Sequence, residues 1–458
     1  MRRRAFLGHV MAGAATFAVL PRLASGQTGG TRYYVDAASG DDAHDGRSPD
    51  RAWRTLAAVN RQRYAPGDSI LFRRGGDYPG VFHPSGSGRA GAPIVADAYG
   101  QGAAPHLHAD GAAAATIRLE NVEFWTLRNL AVSNRGTTEG AKRTGVHLFH
   151  HDFGTVHGIV VQDLHVHDVN GSPVKKEGGG SAILVEANGK TRPTRHDGLS
   201  IVDNVIERCQ RDGILFLSAG SRAGGLASGV VVRGNRLTGV PGDGILVKGC
   251  QGAIVERNTV AQCGALPRGE AAAGIWPFDC DGTVIQYNYS HDNAGGMALV
   301  CNDGKQGGIG NTATIVRFNV SINDGLRRTG SAVVRLSGPV AGSRIYNNII
   351  IVPDKPDPGA EVTVFRATSW KGVPDDTAIH DNIVLATRSP GMDMGPATRT
   401  RMEANRILAD ASHASSRAML QRVRSQRPTL AQVNALVKAC FVDGKAVPDA
   451  DALIAKLA

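Results

Sequence analysis

Long apolar runs, aromatic rings and paired cysteines are all scarce in this chain, and each scarcity removes a class of protein. After the first 26 residues no stretch approaches the ~18 to 20 apolar residues that a membrane-spanning helix needs, so no membrane association is expected beyond an N-terminal signal. Aromatic residues make up 5% of the 458 positions, which implies a thin core. The six cysteines, Cys209, Cys250, Cys263, Cys280, Cys301 and Cys440, include no Cys-x-x-Cys pair. That spacing would mark zinc or a redox dithiol, so here they read as small apolar core fillers. Lysine and arginine are scattered, with no stripe or recognition-helix pattern, so nucleic acid is not an expected partner.

The N-terminus reads as an export signal over residues 1–26. Arg3-Arg4-Ala5-Phe6-Leu7 resembles the twin-arginine pattern, followed by an apolar run from Val10 to Leu20 and by Ala24-Ser25-Gly26. A periplasmic or secreted protein is expected. The segment carries four arginines and no acid, so its removal lowers the formal net charge from +10 to +6. A mildly basic surface suits an acidic polymer through long-range attraction.

Glycine is abundant, 58 residues or roughly 13% against a usual ~7%, and it accompanies a repeat. Apolar segments carry Asn or Asp at Asn129, Asp163, Asn204, Asn235, Asn258, Asn288, Asn319, Asn348 and Asn382, at intervals of 23 to 41 residues. The variable interval excludes a rigid-period propeller and suits a solenoid with loops inserted on one side. Stacked coils would place equivalent Asn side chains about 4.8 Å apart, where they bond into a ladder. A second register starts on small residues, as in Gly145-Val146-His147 and Gly244-Ile245-Leu246. Its column Val146, Ile183, Ile214, Ile245, Ile275, Met297 and Val333 is wholly apolar and must face inward. His147, Trp276, Glu186 and Lys248 then face outward. The predicted fold is an all-β parallel β-helix over residues 27–396, with an N-terminal cap that includes a short helix at 54–59 and a strand at 69–72. From Ala397 to Ala458 a helical appendage is expected, with Thr429 as an N-cap.

Three segments, Tyr33-Tyr34-Val35-Asp36, Pro66-Gly67-Asp68-Ser69-Ile70-Leu71-Phe72 and Gly274-Ile275-Trp276-Pro277, resemble bacterial right-handed parallel β-helix proteins of the pectate-lyase-like superfamily. The resemblance implies a protein that binds and cuts glycans, and a monomer is expected. Its members include uronate lyases, epimerases and glycoside hydrolases. The Asn-Thr-Asp, Asp-Asp and Gly-His-Gly set of polygalacturonases and the Arg-x-Pro-x-x-Arg segment of pectate lyases are missing, so no family mechanism carries over.

The chemistry expected from the residues is β-elimination on an acidic, uronate-containing polysaccharide or oligosaccharide. That reaction needs the substrate carboxylate neutralised and a base supplied. Lys248 is the candidate base, with His291, Asp292 and Arg211 as further catalytic candidates. Trp276, Lys175, Lys176, His147 and Lys305 are candidate substrate contacts, and Asp243, Asp279 and Asp281 are candidate ligands for calcium. Asp212 and Asp243 also sit in Asp-Gly pairs that shape turns. Hydrolysis, epimerisation and non-catalytic glycan binding are the alternatives.

Overall fold

The computed structural model describes residues 29–174, 179–266, 272–302, 310–327, 331–352, 363–386, 389–409 and 427–455. The expected signal segment, Lys175, Lys176 and Lys305 lie outside them. Three parallel sheets, of 13, 12 and 10 strands among the described residues, run the length of the solenoid. One coil shows the pattern. Ile183–Asn188 joins the ten-stranded sheet, Ser200–Val202 the thirteen-stranded sheet and Val205–Cys209 the twelve-stranded sheet, before Ile214–Ser218 returns to the first.

The inward column is apolar as expected: Val146, Ile183, Ile214, Ile245, Ile275, Met297 and Val333 are at most 1% exposed. Burying each such side chain contributes about 1.5–3 kcal/mol. In-register pairing runs from Val146 to Ile275; Ile275 then pairs with Ala298, so the column slips by one at Met297. The small residue ahead of the column has a steric cause. A Cβ on Gly213 would sit 2.5 Å from the Gly244 carbonyl oxygen, and one on Gly244 equally close to that of Gly274.

The ladder forms at the tight bend between the thirteen- and twelve-stranded sheets, but its membership differs from the expected nine anchors. Asn204, Asn235, Asn258, Asn288, Asn319, Asn348 and Asn382 each donate side chain to side chain to the next rung at 2.8–3.0 Å, and Asn405 accepts the last of these bonds. Each Nδ2 also reaches a backbone carbonyl of the preceding coil, such as Asn204 to Val161 and Asn288 to Val255. Asn129 and Asp163 stand one position earlier, at φ +59° and +50°. These left-handed positions suit Asn and Asp, while Leu130 and Leu164 fill the ladder site.

The coils also continue past Ala397, where a helical appendage was expected to begin. Arg401–Glu403 and Arg406–Ala409 add strands to two sheets, because Asn405 supplies one more rung. The helix predicted from Thr429 is present at Leu430–Cys440, with a full capping box. Gln432 N–H donates to Thr429 Oγ1 and Thr429 N–H to Gln432 Oε1. Its Val433, Leu436, Val437 and Cys440 pack on Val320, Ile322, Ile349 and Ile351, outward residues of the twelve-stranded sheet. At the other end the short helix is Leu56–Arg61, capped by Thr55, and the strand is Ser69–Arg73. The few aromatics concentrate there: Tyr33 stacks on Trp53, and Tyr64 and Phe82 each meet Trp125 edge-on. All six cysteines are buried, as core fillers would be.

Candidate active site

The outward face of the ten-stranded sheet has a polar start, an apolar middle and a cationic end. Successive coils align Arg118, His147, Leu184, Leu215, Leu246 and Trp276 in one column. Further along, Leu299 pairs with Arg335, and Arg335 with Arg366. The apolar middle is not a free surface. Trp276 is 2% exposed and clusters with Leu246, Leu299 and the half-buried Phe278, so the expected sugar-stacking platform is a covered packing residue.

The polar start holds two carboxylates. Glu120 and Glu186 both pair in register with Phe149, one on each side. With strands 4.7–4.9 Å apart, their backbones lie about 9.5 Å from each other. Arg118 Nε donates to Glu120 Oε2 at 2.7 Å, and its Nη1 donates to His147 Nδ1 at 3.3 Å. Since arginine only donates, this contact makes Nδ1 the acceptor and leaves the ring proton on Nε2. There it faces Glu186 Oε2 at 3.1 Å. Asn188 donates to the other Glu186 oxygen at 3.0 Å, and His83 lies 3.3 Å from Glu120. The hydrogen bond from Arg118 holds the Glu120 carboxyl below the usual range, and that from His147 does the same for Glu186. The guanidinium of Arg118 also lies 4.5 Å above the Phe149 ring.

Of the residues nominated from sequence, only His147 belongs to this cluster. Lys248 is further along the same sheet, its ammonium 5.1 Å above the Phe278 ring. His291 and Asp292 lie on the twelve-stranded sheet, paired to each other at 2.9 Å, so they do not join Lys248. Arg211 is buried and structural: it pairs with Asp212 at 3.1 Å and donates to the Pro173 carbonyl at 2.7 Å.

The three aspartates nominated for calcium do not converge. Asp243 precedes its strand and accepts from Ala273 N–H of the next coil at 2.9 Å, so it links successive coils. Asp279 and Asp281 follow the next strand; Asn302 donates to Asp279, and Arg222 clamps Asp281 with two bonds of 2.9 Å. Among the described residues, the group close enough to share an ion is instead Asp77, His106 and His108. Arg118 and Glu120 were missed because the Gly- or Ala-led register used to find outward positions starts only at Gly145. Their alternation, Arg-x-Glu against His-x-Phe, was the available signal.

Three sheets of parallel strands, stepped coil by coil along one axis, make this chain a right-handed parallel β-helix protein. A family model described as right handed beta helix region matches residues 181–360. Among curated proteins, the lacto-N-biosidase of Bifidobacterium longum is 24% identical over 465 residues, covering 74% of this chain and 28% of that protein. The chain therefore spans little more than a quarter of that relative's length. Among solved structures, the lacto-N-biosidase from Eubacterium ramulus superposes with a TM-score of 0.67 at 23% identity, covering 83% of this chain and 68% of that one. Likeness at that level establishes the shared fold.

Proposed function

We propose that this protein is a carbohydrate-active enzyme that hydrolyses glycosidic bonds of an oligosaccharide on the outward face of its ten-stranded sheet. The observation that carries the reading is the pair Glu120 and Glu186, one coil to each side of Phe149. Inverting glycosidases hold their two carboxyl groups about 6.5–9.5 Å apart so that a water fits between base and sugar. Here Glu120, kept anionic by Arg118, is the carboxylate that activates water. Glu186, on the opposite side, is the second carboxyl of the pair: protonated from solvent it gives its proton to the leaving oxygen, and the His147 Nε2–H orients it. The name of the curated relative, a lacto-N-biosidase, supports hydrolysis over elimination.

The test is an assay on a panel of neutral and uronate-containing oligosaccharides, following reducing ends and ultraviolet absorbance of an unsaturated product together. Hydrolysis yields reducing ends alone, and Glu120→Gln or Glu186→Gln lowers turnover about 10²–10⁴-fold with the fold retained. Wild-type turnover in both variants would remove the site.

Elimination is the second reading, favoured by the Arg118–His147 contact. Arg118 would turn from His147 Nδ1 to neutralise a substrate carboxylate, and the freed Nδ1 would accept the α-proton. Absorbance of an unsaturated product would select it.

A further inference from the structure

Away from the glycan face, the first coils of the twelve-stranded sheet carry four imidazoles on their outward side. His106 and His108 alternate on the strand His106–His108, so both rings leave the same face. Asp77, on the preceding strand, pairs directly with His106. One carboxylate oxygen of Asp77 lies 2.9 Å from His106 Nδ1, and the other lies 2.9 Å from His108 Nε2. The three ligand atoms fall within 4.8 Å of one another.

The geometry points to a binding site for one divalent, zinc-class cation, held by Asp77, His106 and His108. Its strongest support is the far side of each ring. His106 Nε2 is 2.8 Å from Ser133 Oγ, and His108 Nδ1 is 2.9 Å from an Asp110 carboxylate oxygen. Each imidazole thus aims one nitrogen at a common point while an oxygen orients the other. Metal-bound histidines are held in that way, because the outer acceptor fixes the tautomer and strengthens the donor nitrogen. Ser133 faces His108 across the pairing, so the neighbouring coil presents a small hydroxyl where a larger side chain would fill the space.

A mixed imidazole and carboxylate donor set suits zinc better than calcium or magnesium, which take oxygen ligands. Three protein ligands leave a fourth position, and the Asp77 side chain, 67% exposed, opens it to solvent. The cation would clamp two successive coils at the N-terminal end. His165 and His167 stand two coils on, already bonded to Glu207 and Asp168, and are not ligands.

The experiment uses full-length protein without a histidine tag, stripped with chelator and titrated with zinc chloride by calorimetry. A parallel Co²⁺ titration is followed by visible absorption. The wild type should take up one equivalent, with a Co²⁺ band of four-coordinate intensity and a higher thermal midpoint. His108→Gln should abolish uptake, and the exposed Asp110→Asn should weaken it about 10–100-fold with an unchanged circular dichroism spectrum. His165→Gln should bind as wild type. No uptake by the wild type, or uptake unaltered in both His108→Gln and Asp110→Asn, would overturn the assignment.

Discussion

Replacing Asn288 with leucine separates the hydrogen bonding of the ladder from its packing. Leucine already occupies the equivalent site at Leu130 and Leu164, both fully buried, so the shape is tolerated by the bend. Asn288 makes four bonds. Its Oδ1 accepts from the backbone and side chain of Asn258, at 3.0 Å each, and its Nδ2 donates to the Val255 carbonyl and to Asn319 Oδ1, at 2.9 Å each. Two of the four partners keep other bonds: Asn258 Nδ2 still reaches the Val232 carbonyl, and Asn319 Oδ1 still accepts from Asn288 N–H. The Val255 carbonyl keeps its place in the strand pairing, whereas the Asn258 N–H loses its partner in a dry interior. An unsatisfied buried group costs about 1–3 kcal/mol, so Asn288→Leu should destabilise by that amount. Chemical unfolding followed by circular dichroism measures it. Asn405→Leu, at the half-buried last rung, should cost distinctly less. A loss below about 1 kcal/mol for Asn288→Leu would show that apolar packing, and not the amide ladder, holds the bend.

Acidification should destabilise the fold through His150, which burial pushes down to about 4 despite its bond to the Val122 carbonyl. The unfolded chain titrates near 6.5. Between pH 6.5 and 4 the unfolded state therefore binds the extra proton, and stability falls as pH drops, by about 3 kcal/mol from this residue. Thermal midpoints across that window should fall less steeply in a His150→Gln variant, and equal slopes would contradict the assignment. Trp276→Ala should act on stability, at about 3–5 kcal/mol; a variant of unchanged stability with weakened glycan binding would instead restore the stacking role. Val437→Asp puts a charge between the C-terminal helix and the twelve-stranded sheet. It should detach the helix and raise binding of a hydrophobic dye without altering the β signal; no dye response would mean that the helix does not cover that face.

The solenoid was legible because two of its causes act at strand spacing. The inward column shows as alternation from Val146 to Val333, and the ladder shows as Asn inside apolar runs. Asn129 and Asp163 misled for a local reason: the left-handed residue and the ladder residue are neighbours, and both favour Asn. The final coil was lost because the arginine-rich stretch around Arg401–Glu403 and Arg406–Ala409 reads as a helical appendage, although Arg344 and Arg236 hold the same register positions in earlier coils. The site was less legible than the fold. Alternation tells whether a side chain faces out, but a coil has three outward faces. Which face receives His291 or Lys248 depends on where the bends fall between loops of unequal length. Nominating Lys248 and His291 for one site therefore merged residues that the coil distributes to different sheets. His-x-His at 106–108 was visible, but its ligand partner Asp77 lies 29 positions earlier and is brought beside it only by the coil.

The amide ladder also governs how this molecule can change length. Each rung from Asn204 to Asn405 is joined to the next by the same pair of complementary groups, so any interior coil can follow any other without a mismatch. A duplicated coil that brings its own asparagine would be accepted in the middle of the stack. The boundary at Leu164, which offers no amide to the coil before it, accepts such an insertion on one side only. Growth and shrinkage of the solenoid are thereby favoured past Asn204, while the coils that carry Glu120 and His147 lie outside the ladder.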